Sequence, residues 1–224
     1  MEIFDRNNKP FYLLVVFLSL FLTHGSFALQ SQDEKIKLED INQIKDIGSI
    51  DVSKDADLIA YTVSSVDQKN DEYVTDIWML NLKKDRDKLI VRSAYSPKFS
   101  PDSNYVAYLA PGRGKYSDYE QLWFFNTKTA TKRQITKIES SVTDFEWAPD
   151  GSRIVMVINI EPDRDDEEET QKPYVIDRYQ FKQDNNDFLD ESRQHLFLIE
   201  IATRELTQLT DGSSNELFSS WSPD

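Results

Sequence analysis

Short apolar runs alternate with turns along most of the chain. Residues 122–125 and 154–158 are apolar at every position, a pattern typical of strands that are covered on both faces of a sheet. Other runs mix apolar residues with Lys, Arg, Gln and Thr, which suits the outer edge of a sheet that must not pair further. The pattern therefore predicts an all-β chain of packed antiparallel sheets.

One turn motif separates many of these runs. Residues 147–151 read Trp-Ala-Pro-Asp-Gly: Pro presets φ in a β-turn, Asp accepts hydrogen bonds from the turn backbone, and Gly takes the left-handed position. The frame recurs at 99–102 and 221–224, and in a weaker form at 52–55. The predicted structural positions of these turns and of the aromatic residues that anchor them are Phe99, Pro101, Asp102, Trp147, Pro149, Asp150, Gly151, Trp221 and Pro223.

The spacing of the anchors predicts a β-propeller. Val52, Phe99, Trp147 and Trp221 are separated by 47, 48 and 74 residues, and a period in the forties with several short strands is typical of a propeller blade. A β-sandwich would contain similar strands but would not explain this repeat. We expect a partial β-propeller over residues 46–224, with three four-stranded antiparallel blades at about 46–92, 94–136 and 142–210 and the first strand of a fourth at 215–224.

The third blade carries an insertion at residues 161–190. Its first part, 161–169, is almost entirely acidic and is expected to be mobile and solvated. This run contains no glycine to make the turn of a calcium loop, so we predict no metal site there, and no cofactor. The second part, 172–181, mixes aromatic and aliphatic residues with an Asp-Arg pair, and ordered insertions on a rigid scaffold often carry function.

The first 28 residues have the features of a secretory signal peptide. Arg6 and Lys9 precede an apolar run at 11–22, and small residues before Ala28 suit a cleavage site. The run is shorter than the ~20 apolar residues of a membrane span. We therefore expect cleavage after Ala28, export to the periplasm or the medium, no stable membrane span afterwards, and a polar, partly helical lead-in at 29–45.

Composition removes several classes of function. The net charge is −14, which argues against nucleic-acid binding because that affinity comes from Lys and Arg clusters. The chain has no cysteine, so disulfides and a Cys nucleophile are excluded. His195 lies in an apolar run, and we expect it to be a strand residue with a satisfied imidazole and not a catalytic base.

The turn repeats, the sequence Leu-Glu-Asp-Ile at 38–41, residues 172–181 and the run His-Leu-Phe-Leu at 195–198 resemble the N-terminal propeller of the prolyl oligopeptidase family. The resemblance is greatest to its acylaminoacyl-peptidase and dipeptidyl-peptidase-like serine peptidases. It covers essentially all of the mature chain but about the N-terminal third of a typical member. Two positions depart from the pattern: Lys54 replaces Pro, and Ser103 replaces Gly.

This resemblance implies a peptidase whose catalytic Ser, Asp and His lie in a C-terminal α/β-hydrolase domain. No glycines here bracket a Ser in the Gly-x-Ser-x-Gly spacing, so we expect no catalytic residue in this chain and a propeller that gates access of peptide substrates to a hydrolase domain outside it. Asp177, Arg178 and Tyr179 are the candidate substrate-binding residues; the alternative is an internal ion pair that pins the insertion. Open blade faces are expected to self-associate. The alternative function is a periplasmic Tol-type propeller that acts as a protein-binding scaffold.

Overall fold

The computed structural model describes residues 37–160, 192–217 and 220–222. The chain divides into two compact units, residues 1–40 and 41–224, and most of the first unit lies outside the described residues, as do the predicted signal peptide and the insertion at 161–190. Within the predicted lead-in, Leu38–Gln43 form a short 3-10 helix. No helix in the described ranges is long and apolar enough to cross a membrane.

Twelve described strands form three sheets of four. Within each sheet the strands pair antiparallel in chain order, which is the arrangement predicted for a blade. Blade 1 contains β1 (Asp46–Val52), β2 (Leu58–Asp67), β3 (Glu72–Asn81) and β4 (Arg86–Val91). Blade 2 contains β5 (Tyr95–Phe99), β6 (Tyr105–Pro111), β7 (Glu120–Asn126) and β8 (Lys132–Gln134). Blade 3 contains β9 (Ser141–Trp147), β10 (Arg153–Ile160), β11 (Arg193–Glu200) and β12 (Leu206–Gln208).

Two apolar cores hold the blades together, one on each face of blade 2. Tyr108 and Trp123 contribute to the core shared with blade 1, whereas Leu109 and Phe124 contribute to the core shared with blade 3. Neighbouring residues of β6 and β7 therefore bury opposite faces, because side chains alternate along a strand. This confirms the prediction for the central strands of blade 2, which are apolar on both faces because another blade packs against each face.

Blade 1 departs from that prediction. Its central strands bury one face, through Ala60, Ile77 and Met79, against blade 2. The opposite face, which includes Tyr61 and Trp78, is only half-buried. The reason is that no other described sheet packs on this side of blade 1.

The predicted turn forms at the first hairpin of every blade. Ala56, Ser103 and Gly151 each donate a backbone N–H to the carbonyl three residues earlier, at 2.8, 2.7 and 2.9 Å. All three have positive φ, of 57°, 57° and 72°. The prediction that Gly151 is left-handed and that Ser103 shares its conformation is confirmed, and the weak first repeat adopts the same turn.

Each turn aspartate holds its own hairpin together. The carboxylate of Asp102 accepts hydrogen bonds from the Ser100 hydroxyl at 2.6 Å and the Asn104 backbone N–H at 3.0 Å. Asp150 accepts from the backbone N–H of Ser152 at 2.9 Å. These bonds satisfy backbone groups at the loop tip that no strand partner reaches.

The aromatic anchors join one blade to the next by a repeated hydrogen bond. The indole N–H of Trp147 donates to the carbonyl of Lys98 at 3.4 Å, and that of Trp221 donates to the carbonyl of Glu146 at 3.2 Å. Phe99 has no such donor, and its backbone N–H instead donates to the carboxylate of Asp51. In each case the anchor bonds to the residue that stands just before the anchor of the preceding blade. The repeat seen in the sequence is therefore also a repeat of the contacts between blades. Pro223 lies outside the described residues.

Candidate functional site

The residues that the sequence singled out for binding do not fall in the described part of the chain. Asp177, Arg178 and Tyr179 belong to the insertion at 161–190, so their proposed contact with substrate stays a prediction. The predicted turn and anchor residues that are described lie at the junctions between blades, and their assignment as purely structural residues stays a prediction.

His195 is a buried strand residue, as expected, but its imidazole is not fully satisfied. It lies in β11 opposite Ile158 and is 5% exposed. Its Nδ1 atom is buried without a hydrogen-bond partner among the described residues. The expectation of a satisfied imidazole was therefore wrong for Nδ1.

A cavity of about 770 Å³ lies along the first strands of the three blades. Strands β1, β5 and β9 and the turns that follow them supply its walls, and its lining mixes charged residues with serine, proline and apolar residues. We call this cavity the inner-strand channel; its charged lining residues are Asp51, Lys54, Lys98, Asp144 and Glu146. Three of them, Asp51, Lys98 and Glu146, occupy the same place in the repeat, one residue before the anchors Val52, Phe99 and Trp147.

A bulge in each first strand shapes the channel wall. The pairing register shifts between Ile47 and Ile50 in β1 and between Tyr95 and Lys98 in β5. In β9 the shift lies opposite Val157 and Ile158 of its partner strand. Bulges bend a strand and redirect its side chains, and in β1 and β5 the bulge residues themselves line the channel.

Lys98 holds the acidic residues of blade 3. Its Nζ atom lies 2.7 Å from Glu146 Oε2 and 3.5 Å from Asp144 Oδ1. It also donates to the carbonyl of Phe145 and lies 5.2 Å from the centre of that ring. The Lys98 side chain is 29% exposed and that of Glu146 41%, so solvent or a ligand can reach the cluster.

These side chains can bind and orient charged groups, but they do not form a hydrolytic centre. Covalent hydrolysis needs a nucleophile within hydrogen-bond reach of a base. Among residues 37–160, 192–217 and 220–222, no hydroxyl is bonded to His195, and no group of three acidic or His residues is placed to hold a metal ion. The channel is a candidate recognition site for ligands that carry charged groups, because its lining holds both acidic and basic residues.

The channel residues were missed at the level of sequence although a signal was present. Lys98 and Glu146 are polar residues within β5 and β9, and the strand pattern itself does not distinguish them from other polar positions. The signal is the position that they share, one residue before the anchors Phe99 and Trp147. The first strands of the blades repeat together with these anchors, so equivalent positions line the same channel.

Comparison with known proteins connects this fold to peptidases. No model of a known protein family matches the chain. The chain is 25% identical over 198 residues to the uncharacterized peptidase YuxL of Bacillus subtilis, covering 84% of this chain and 30% of that protein. It is 24% identical over 196 residues to dipeptidyl-peptidase 5 of Porphyromonas endodontalis, covering 84% and 28%. The chain thus spans less than a third of the length of these relatives.

Solved structures show the same fold. The acylaminoacyl peptidase of Pyrococcus horikoshii matches with a TM-score of 0.62 and 19% identity over 75% of this chain and 25% of that one. The β-propeller domain of the Trilobed protease from Pyrococcus furiosus matches with a TM-score of 0.50 and 15% identity, over 75% and 44%. The fold is a β-propeller built from four-stranded blades, and the resemblance to the propellers of prolyl-oligopeptidase-family peptidases is confirmed.

Proposed function

We propose that the chain is the propeller domain of an exported serine peptidase of the prolyl oligopeptidase type, and that its inner-strand channel controls which peptides reach a hydrolase domain. The observation that carries this proposal is the channel itself, whose charged residues repeat with the blades and remain accessible. Both curated relatives carry peptidase names, and the match to each covers 84% of this chain.

The chemistry of the channel suits the passage of peptides. Asp51, Asp144 and Glu146 can meet an α-amino group or a basic side chain, and Lys98, which donates to Asp144, Glu146 and the Phe145 carbonyl, orients two of these carboxylates. Because Lys98 already neutralises part of the acidic lining, the site presents both signs of charge within one cavity. Such a surface favours short extended peptides, which expose both backbone and termini, over folded proteins.

The test uses the complete gene product and two substrates of different size. Ser49 lines the channel, so Ser49→Trp should narrow it. We expect kcat/KM for an octapeptide to fall at least tenfold, while hydrolysis of a small aryl ester changes less than twofold. Glu205→Trp, at an exposed position between β11 and β12, is the matched control and should leave both substrates unchanged.

Equal loss for both substrates would contradict control by the channel, and so would no loss for either. A complete absence of hydrolysis in the unaltered gene product, with retention of a partner protein, would favour the Tol-type scaffold. Export is tested by the N-terminal sequence of the protein isolated from its host. We expect that sequence to begin at Leu29, and an intact Met1 would contradict cleavage of the signal peptide.

A further inference from the structure

The junction between blades 1 and 2 concentrates positive charge in an otherwise acidic protein. Two cavities open along it. One, of about 620 Å³, has Leu58 and Met79 among its lining residues; the other, of about 320 Å³, is lined by Tyr108 and Trp123. The cationic residues that line the first are Lys84, Arg86, Lys88 and Lys128, and those that line the second are Arg92, Arg113 and Lys132. We call these seven residues the basic seam.

The seam is poorly neutralised by the protein. Six of its seven members form no ion pair with any described residue, and Arg92 has only a 4.0 Å contact with Asp76. The first cavity also contains the carboxylates of Asp55 and Asp102, which offset part of its positive charge but lie within hydrogen-bond reach of their own turns and form no ion pair with the four cations. The cations of the seam outnumber these carboxylates, so an anion bound here would be attracted to the remaining positive charge.

Aromatic side chains organise the cations. The guanidinium carbon of Arg113 lies 4.9 Å from the centre of the Trp123 ring, a cation–π contact, and the guanidinium group forms no ion pair with any described residue. Lys88 Nζ lies 5.9 Å from the centre of the Phe125 ring, and Lys132 pairs with Phe125 across the sheet. Lys88 from the first cavity and Lys132 from the second therefore both lie beside Phe125, whose own side chain is buried.

A buried amide lies beside the second cavity. Gln134 is 8% exposed, and its Oε1 accepts the backbone N–H of Arg113 at 3.2 Å. Its Nε2 is buried without a partner among the described residues. An unpaired buried donor is costly, and this one is found next to Arg113, which lines that cavity.

We propose that the basic seam binds an acidic peptide segment in an extended conformation. The seam follows β4, whose six residues span about 20 Å at the rise of a β-strand, so its cations match several carboxylates along a chain better than one compact anion. Apolar walls from Met79 and Trp123 provide contact area for the stems of Glu side chains.

The test measures binding of a fluorescein-labelled hexaglutamate peptide to the full chain by fluorescence anisotropy. We expect saturable binding that weakens as NaCl is raised from 20 to 200 mM, since exposed charges are screened by salt. Arg86→Glu combined with Lys132→Glu places one reversal in each cavity, and should raise the Kd at least tenfold. Both side chains are exposed, and circular dichroism checks that the fold is kept.

The matched control reverses Lys69 and Lys137, two exposed lysines outside the seam, and changes the net charge equally. We expect less than a threefold change in Kd. Equal weakening by both double variants would overturn the proposal, because it would mean that only net charge matters, and so would binding that does not respond to salt.

Two further arms identify the ligand. Inorganic phosphate at matched ionic strength should displace the peptide no better than chloride, and vesicles containing phosphatidylserine should not retain the protein. Displacement by phosphate would assign the seam to a phosphate ligand, and vesicle binding would assign it to a membrane surface. Either result overturns the peptide assignment.

Discussion

Three residues with positive φ close equivalent turns, and only one of them is glycine. Ala56 and Ser103 take the left-handed conformation at a cost of ~1 kcal/mol each, which glycine avoids. Ser103 recovers part of that cost, because its hydroxyl accepts the backbone N–H of Lys54 at 2.9 Å. Ala56 has no side-chain hydrogen bond to lose.

We therefore predict that Ala56→Gly stabilises the protein by about 1 kcal/mol, whereas Ser103→Gly changes its stability by less than half of that amount. Urea unfolding of both variants measures the difference. Gly151→Ala is the control in the opposite direction. It should destabilise the protein, because alanine at a φ of 72° is strained. The added Cβ would lie 3.5 Å or more from its nearest neighbour, so no steric clash contributes to the loss. A larger gain for Ser103→Gly than for Ala56→Gly would contradict this explanation.

The turn aspartates make the fold sensitive to acid. At Asp102, burial raises the pKa, but hydrogen bonds from Ser100 and Asn104 outweigh it, so the pKa lies below its ordinary value of 3.8. The pKa of Asp150 is lowered first by the backbone hydrogen bond from Ser152. A lowered folded-state pKa gives stability that is fully present above the unfolded pKa and is lost as the pH falls through the folded value.

Asp102→Asn should therefore lower stability at pH 7 and flatten its pH dependence below about pH 4. Urea midpoints at pH 7, 4 and 3 measure this. Asp118→Asn, at an exposed position outside the three turns, is the control and should leave the pH dependence unchanged. An unchanged acid slope in Asp102→Asn would show that the turn carboxylate does not contribute to it.

The blades are joined by their anchors, and this contact can be tested directly. Trp147 is 7% exposed, stacks on Phe124 with ring centres 5.0 Å apart and donates to the Lys98 carbonyl of blade 2. Trp147→Phe keeps an aromatic ring but leaves that carbonyl without its donor. We expect a loss of about 1–2 kcal/mol, seen as a lower urea midpoint.

Trp78→Phe is the matched control, because the half-buried Trp78 indole has no hydrogen bond among the described residues. It should cost less than Trp147→Phe. If the two variants lose equal stability, the loss comes from the smaller aromatic ring alone, and the hydrogen bond between Trp147 and Lys98 does not stabilise the fold.

Much of the fold could be predicted from the sequence because the repeat is recorded in residues with strong local preferences. Pro101 and Pro149 preset a backbone angle of the turn, Gly151 adopts the left-handed conformation without strain, and the large apolar ring of Trp147 needs a core. The apolar pattern alone would predict burial of the uncovered face of blade 1, where Val52 is 47% exposed; only the expectation of a partial propeller with open blade faces accounts for this exposure. Its sequence is apolar, but burial depends on what packs against it, and a strand pattern alone does not show that.

The candidate site was less predictable than the fold. Lys98 and Glu146 are ordinary residues for a strand with one wet face, and only their position before the anchors places them together. The insertion residues Asp177, Arg178 and Tyr179 were proposed from the family resemblance, and they lie outside the described residues.

One face of blade 1 is apolar and uncovered by any other described sheet. Ile50 pairs with Tyr61, and Tyr61 pairs with Trp78 across the sheet, so these three residues make one apolar row. Val52, which pairs with Ile59, belongs to a second apolar row. Ile50 is 62% exposed. Covering ~600 Å² of such a face is worth roughly 15 kcal/mol, as much as the whole stability of an ordinary domain.

We predict that a polypeptide of residues 29–224 alone self-associates through this face. Size-exclusion chromatography with light scattering should show dimers or larger species, and Ile50→Lys combined with Trp78→Lys should shift them toward the monomer. The matched double variant Lys69→Glu with Lys137→Glu should not. A monodisperse monomer of the unaltered polypeptide would contradict the prediction.

We propose that this propeller selects substrates and that another domain catalyses their hydrolysis. The most direct test of this proposal is labelling with a fluorophosphonate probe, which reacts with activated serines. The polypeptide of residues 29–224 should take up no label, because it contains no nucleophile elbow and His195 is buried in β11. The complete gene product should be labelled at one serine outside these residues and should hydrolyse peptides. Stoichiometric labelling of any serine within 29–224 would contradict the proposal that this propeller selects substrates and leaves catalysis to another domain.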